Sequence, residues 1–272
     1  MKKILLIGSD GQLGSAIKKN FLNKKNFFFI NKVTLDVTLQ DNLSKVISKI
    51  NPDIIINCVA YTNVTKSEQD LIAAEALNVT YIMNLSKACS LRNIKLIHFS
   101  TDYVFDGKKK KAYKENDQSN PLNNYGLSKL KGDLHIEETL DNYIIIRCSW
   151  LFSGTNNCFL SKIYKNICNN EDFLVDNTSI GNPTFVYHLV EVIEILLKHL
   201  DEKKDLNGVF NFCSKPVTTW HNFANKFYHY LKLNNFSNNN INIKPNNFIE
   251  NNKVIRPINS SLDTSKINKI LN

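Results

Sequence analysis

Short apolar runs alternate with segments of helical period through the first half of the chain. Ile4–Ile7, Phe27–Ile30, Ile54–Asn57, Leu96–Ser100 and Tyr143–Arg147 have the length and composition of strands. Between them, apolar residues recur at helical spacing and predict helices over about Leu13–Leu22, Leu43–Ile50 and Leu71–Leu91, with a further helix after Tyr125. Strands separated by helices imply βαβ units, and therefore an α/β fold built on a doubly wound parallel sheet whose strand ends line a ligand crevice.

After Trp150 this order loosens. Helices are predicted near Phe159–Cys168 and His188–Leu200, separated by short pieces such as Val209–Phe212. The expected organisation is a dinucleotide-binding domain over residues 1–150 and a smaller, mainly helical substrate lobe over 151–272, with part of the chain returning to the main domain. Between Asn234 and Asn252 lie ten asparagines around one proline, a composition that favours turns, and a mobile surface excursion is expected there.

Hydrophobic residues at 43% and charged residues at 22% exclude the fibrous, collagenous and membrane-embedded classes. The net charge of +9 raises nucleic-acid binding, but the lysines are scattered. The one dense run, Lys108–Lys111, follows Asp106-Gly107 and reads as a solvated loop, so neither a nucleic-acid nor a membrane partner is expected. Positive potential still attracts phosphorylated ligands. Six cysteines form no CxxC pair and no zinc spacing with histidine, which points to reduced thiols, a reducing compartment and no metal site. The apolar run after Met1-Lys2-Lys3 is too short for a signal-peptide core, and a cytoplasmic location is expected.

Chemistry enters directly after the first strand, in Gly8-Ser9-Asp10-Gly11-Gln12-Leu13-Gly14 leading into a helix. Glycines at this spacing allow a tight turn, close approach of backbone to a pyrophosphate and close helix packing, while the helix N-terminus favours phosphate charge. This is the Rossmann-type dinucleotide signature, and Gly8, Gly11, Gln12, Leu13 and Gly14 are its candidate contacts. The second strand ends at Ile30-Asn31-Lys32 without the acid that grips ribose hydroxyls at NAD-specific sites. Lys32 suits a cofactor 2′-phosphate, which favours NADPH over NADH, and equally suits a solvated loop. Asp36 and Val37 are placed to flank the adenine.

The fourth predicted strand delivers Ser100-Thr101-Asp102-Tyr103 to its C-terminal end, where such sheets place ligands. Tyr125 and Lys129, four apart on the next helix, share a side, with Leu127, Leu130 and Leu134 expected to face the core. With ten tyrosines in the chain, about one YxxxK spacing arises by chance, so context carries the weight. A nearby ammonium is expected to stabilise phenolate and lower the pKa of Tyr125. Tyr125 can then give its proton to a carbonyl oxygen as hydride arrives, with the Thr101 hydroxyl on the same oxygen and Lys129 also bonding the nicotinamide ribose. The bland reading of Thr101 is a strand-end hydroxyl satisfying local backbone.

With these motifs the chain resembles the extended short-chain dehydrogenase/reductases, and within them the dTDP-4-dehydrorhamnose reductase family. The likeness spans nearly the whole length through Gly8–Gly14, PDIIINCVAYT (residues 52–62), Asn78, FSTDYVF (99–105), PLNNYGLSK (121–129), RCSW (147–150), GNPT (181–184), TTWH (218–221) and RPINSSL (256–262). It implies hydride transfer to C4 of a nucleotide-linked 4-keto-6-deoxysugar, dTDP-4-dehydro-L-rhamnose giving dTDP-L-rhamnose, with Thr101, Tyr125 and Lys129 as the catalytic set. It further implies that Cys58, Val59, Ala60 and Tyr61 line the cofactor. Val64, Asp102, Tyr103 and Trp150 would hold the sugar nucleotide, and Arg256 would reach the pocket from the returning C-terminal segment. Asn78 would support a water path to Lys129.

Related dehydratases carry an Asp-Glu pair after the threonine, since eliminating water needs an acid and a base. Asp102-Tyr103 lacks the second carboxylate and argues for simple carbonyl reduction. The chain departs from the family's NCAAYT, VDKAE and DQxG stretches at Val59, at Val64-Thr65-Lys66-Ser67-Glu68 and at Thr178-Ser179-Ile180-Gly181. Where some members place a metal-binding glutamate in the first helix, this chain has Ala16. Two other readings stay open, a reductase or epimerase of another nucleotide sugar and a dinucleotide-binding regulatory subunit without turnover. A monomer or homodimer is expected.

Overall fold

A computed structural model of the chain describes residues 2–154, 158–237, 239–247 and 254–271. It begins β1 (Ile4–Ile7), α1 (Gln12–Phe21), β2 (Phe27–Ile30), α2 (Gln40–Ile50) and β3 (Ile54–Asn57). A short α3 (Val64–Ser67) precedes α4 (Leu71–Glu75), which runs through one π-helical stretch (Ala76–Thr80) into α5 (Tyr81–Arg92). Then come β4 (Lys95–Thr101), α6 (Asn124–Thr139) and β5 (Tyr143–Cys148). The remainder is β6 (Leu151–Phe152), α7 (Phe159–Cys168), β7 (Phe173–Asp176), β8 (Ile180–Gly181), β9 (Thr184–Phe185), α8 (Val186–Asp201), β10 (Gly208–Phe212), β11 (Thr218–Thr219), α9 (Trp220–Leu233), β12 (Ile243–Asn246) and α10 (Ser265–Leu271).

Six strands form one sheet in the order β10-β5-β4-β3-β1-β2, every pair parallel. Parallel strands need crossovers, and the crossover helices cover both faces, so the strands carry apolar residues on both sides. Ile4 and Leu6 of β1 pack with α1, α8 and α10 on one face. Leu5 and Ile7 pack with α2, α5 and the Ile136 turn of α6 on the other. The order reverses between β1 and β3, and their C-terminal ends part there into a crevice.

Beyond Trp150 the chain is divided between two bodies. Helix α8 packs on α1, and β10 extends the main sheet beside β5 in register Gly208 with Ile144. The rest builds a second core, in which Ile163 and Ile167 of α7, Val175 of β7, Ala224 and Leu231 of α9 and Ile243 of β12 are buried together. The asparagine-rich segment is correspondingly more structured than its composition predicts. Residues Ile243–Asn246 pair in parallel with Phe173–Asp176, and the Asn239 amide donates to the Ile167 carbonyl oxygen at 2.7 Å; this pairing, with Ile243 as its apolar anchor, outweighs the local turn preference. Residues 238 and 248–252 of that segment lie outside the described residues.

Candidate active site

The loop after β1 turns on Gly8 at φ +86°, a left-handed conformation that side chains resist. A Cβ on Gly14 would stand 2.1 Å from the Gly8 carbonyl oxygen, so this close crossing of helix over loop requires glycine. The capping position of α1, Gly11, provides no side-chain hydrogen bond, and its first turn holds no acid. The N–H groups there remain available to an anion. The Gln12 Nε2 atom is buried without a partner.

A cavity of about 540 Å³ runs past Gly8 and Gly11 to Lys32, Asp36 and Val37. A second, of about 520 Å³, holds Gln12, Leu13, Thr101, Tyr125 and Lys129. Gly11, Cys58, Val59 and Ala60 line both, which makes one crevice from the end of β2 to the end of β4. The glycine cradle, the open helix terminus and the orphaned Gln12 donor fit an extended phosphorylated dinucleotide. Asp36 already accepts the Thr38 hydroxyl at 2.6 Å and its N–H at 3.0 Å, and these bonds hold its carboxyl below the usual range.

At the end of β4, the Thr101 hydroxyl oxygen accepts the Tyr103 N–H and donates to Asp102 Oδ1, both at 3.2 Å. Asp102 is buried. Burial raises its carboxyl to about 6, against the lowering influence of the Ser260, Ser149 and Thr101 hydroxyls. Tyr103 meets the Tyr125 ring edge-on at 5.8 Å. Tyr125 opens α6, whose N-cap Asn123 accepts the Gly126 N–H at 2.8 Å. A Cβ on Gly126 would lie 2.2 Å from the Tyr103 carbonyl oxygen, so glycine lets the helix start press against the strand end and place Tyr125 beside Thr101.

Val64, Asp102, Tyr103 and Trp150 line the same cavity as Tyr125. Trp150 stacks on Trp220 of α9, centroids 3.7 Å apart and rings within 8° of parallel. Gly181 leaves room for the indole, which would lie 2.4 Å from a Cβ there. Beyond this pair a third cavity, of about 340 Å³, holds Arg256, Asp176 and Lys162 and shares Phe159 and Trp220 with the second.

Two sequence expectations need correction. The phenol of Tyr125 is pushed upward by burial, with the Thr101 hydroxyl as the one lowering influence, and the Lys129 Nζ bonds the Phe99 carbonyl oxygen at 2.8 Å and lies 3.0 Å from His98 Nε2. Leu127 and Leu134 are exposed, at 40% and 46%, and α6 buries Gly126, Ser128, Lys129, Gly132 and Asp133 instead. The Asn78 amide is occupied by the Tyr61 backbone N–H and carbonyl, at 2.9 and 3.1 Å, and by Ser128 Oγ at 3.0 Å. It therefore fixes the segment carrying Tyr61. Phe159, Trp220 and His98 were not legible as site residues. Trp220 sits in the TTWH stretch, a signal that its side chain matters, whereas nothing in the sequence joins Phe159 or His98 to the site.

The sequence profile described as RmlD substrate binding domain matches residues 1–272. The dTDP-4-dehydrorhamnose reductase of Aggregatibacter actinomycetemcomitans is 33% identical over 228 residues, covering 82% of this chain and 77% of that protein. The crystal structure of dTDP-4-dehydrorhamnose reductase from Bacillus anthracis in complex with NADP superposes with a TM-score of 0.90 at 28% identity, covering 98% of this chain and 92% of that one. The corresponding structure from Clostridium acetobutylicum gives 0.86 at 30% identity, over 96% and 90%.

Proposed function

Since the chain belongs to the RmlD substrate binding domain family, we propose that it is an NAD(P)H-dependent reductase of the C4 carbonyl of a nucleotide-linked 4-keto-6-deoxysugar. The substrate in this reading is dTDP-4-dehydro-L-rhamnose and the product dTDP-L-rhamnose. The observation that carries it is the single crevice joining the glycine loop to Thr101, Tyr125 and Lys129. The cofactor, when bound, supplies the hydride. Tyr125 stays protonated in its buried setting and gives that proton to the carbonyl oxygen, which Thr101 also hydrogen-bonds. Lys129 lines the same crevice and would bond the nicotinamide ribose of the bound cofactor. Val64, Asp102, Tyr103 and Trp150 hold the sugar, and Arg256 meets the phosphate charge from the adjoining cavity. Lys32 beside the adenine-side cavity favours NADPH.

No described helix is long and apolar enough to cross a membrane, and we place the enzyme in the cytoplasm as a monomer or homodimer. The test is oxidation of NADPH and of NADH by purified protein, with dTDP-4-keto-6-deoxyhexose generated in place, with and without a 3,5-epimerase. Consumption that requires the epimerase supports the rhamnose-forming reductase and ranks the cofactors. Tight dinucleotide binding without consumption moves the assignment to another nucleotide sugar or to a regulatory subunit.

A further inference from the structure

Around Lys129 the buried side chains admit one self-consistent arrangement of protons. The Val59 backbone N–H donates to Asn57 Oδ1 at 3.1 Å, and the Tyr81 hydroxyl donates to the same oxygen at 3.0 Å. A backbone N–H cannot accept, so this end of the Asn57 amide is its oxygen. Its NH₂ group therefore faces His98 Nδ1 at 3.0 Å and donates to it. With a lone pair on Nδ1, the imidazole carries its one proton on Nε2. That nitrogen lies 3.0 Å from Lys129 Nζ.

An ammonium at this distance would set N–H against N–H, whereas a neutral amine accepts the His98 proton and keeps its own for the Phe99 carbonyl oxygen. The surrounding charges agree. Asp133 of α6 is fully buried, accepts the Ser100 hydroxyl at 2.5 Å and is matched by Arg147 of β5, whose Nε lies 3.7 Å away. Lys129, 2% exposed, would be a second buried cation on one buried anion. Burial lowers the lysine, with Asp133 and Cys148 opposing, and holds His98 neutral, well below its ordinary value. Asp133 also approaches His98 Nε2 to 3.8 Å. Tyr125, Asp102 and Cys58 line the crevice, and Tyr81 bonds Asn57.

We propose that His98 is a positioning residue that donates its Nε2 proton to Lys129 and so favours the lysine's neutral amine. The inference rests on the reductase reading. The proton that Tyr125 gives to the carbonyl oxygen in each turnover is replaced from solvent through the crevice that Tyr125 and Lys129 both line, and His98 sets whether Lys129 carries its charge beside that exchange.

Two measurements test this. In protein labelled with ¹⁵N-histidine, without any substrate, the His98 resonance, assigned by its loss in His98→Gln, should be that of the neutral Nε2–H tautomer. An Nδ1–H tautomer or an imidazolium overturns the proposal whether or not the protein turns over a sugar. In the second, the pH profile of kcat/KM is compared between the wild type and His98→Gln, whose side-chain oxygen can accept from an ammonium. The basic limb, which marks loss of the Lys129 charge, should move to higher pH in the variant. A folded variant that loses rate or stability with that limb unmoved reduces His98 to a packing role and sinks the proposal. If the wild type reduces no such sugar, it is the reductase reading that has failed, and the tautomer still decides the case of His98.

Discussion

Tyr125 and Asp102 face one crevice, and burial shifts both in the same direction with different consequences. For the phenol, a raised pKa keeps in place the proton it has to give. Tyr125→Phe should therefore lower kcat by roughly 10²–10⁴-fold while the dissociation constant for NADPH, read by fluorescence titration, stays near the wild-type value. For the carboxyl, a value raised to about 6 from an ordinary 3.8 means that the folded state holds a proton the unfolded chain has released. The contribution of Asp102 is most favourable below pH about 4 and is lost as pH rises through about 6, a change of up to roughly 3 kcal/mol. Asp102→Asn should thus raise the melting temperature more at pH 8 than at pH 4, and an equal gain at both would contradict the assignment. At this scale the sequence reveals what stands at strand ends and hides what lies behind them. Thr101, Tyr125 and Lys129 are polar residues where an open sheet places its ligands. His98 sits mid-strand between Ile97 and Phe99, and the Lys129 it meets is on another element.

The π-helical stretch at Ala76–Thr80 and the glycine-bearing face of α6 are one packing device. A Cβ on Gly132 would stand 2.2 Å from the Asn78 carbonyl oxygen, and Asn78 in turn holds both polar backbone groups of Tyr61. Gly132→Ala has to push α6 from the widened turn. It should cost about 1–3 kcal/mol by chemical denaturation and weaken dinucleotide binding, because the segment after β3 moves with Asn78. This explains why α6 was misjudged by periodicity. Its leucines do mark a helix, but the face pressed inward is that of Gly126, Lys129, Gly132 and Asp133, because partners bonded to polar side chains can pay the desolvation that hydrophobic spacing takes for granted. The strand at Ile243–Asn246 was missed for another reason, since its partner β7 lies about seventy residues earlier and leaves no trace in local composition.

Across the whole molecule, the crevice is closed by side chains from both bodies, with Trp150 following the main sheet and Trp220 opening α9. Trp220→Ala should raise KM for the sugar nucleotide severalfold by removing one half of the stack, with NADPH affinity unchanged because the dinucleotide end of the crevice is built from the main body alone. Loss of both affinities together would show that the two bodies are held in place by this stack. Placement of the sheet's first five strands was legible because each lies in an apolar run followed by its own crossover helix. The sixth was not, because Val209–Phe212 follows a long departure into the second body and only tertiary pairing returns it to β5. That return has a consequence for a chain as it leaves the ribosome. When β5 has emerged, its outer edge offers a row of unpaired N–H and carbonyl groups, and the strand that covers them is still to be made. At about 5–20 residues per second, residues 149–207 take roughly 3–12 s to synthesise. During that interval the nascent chain presents a buried strand as an open edge, a stage of its production exposed to edge-to-edge aggregation.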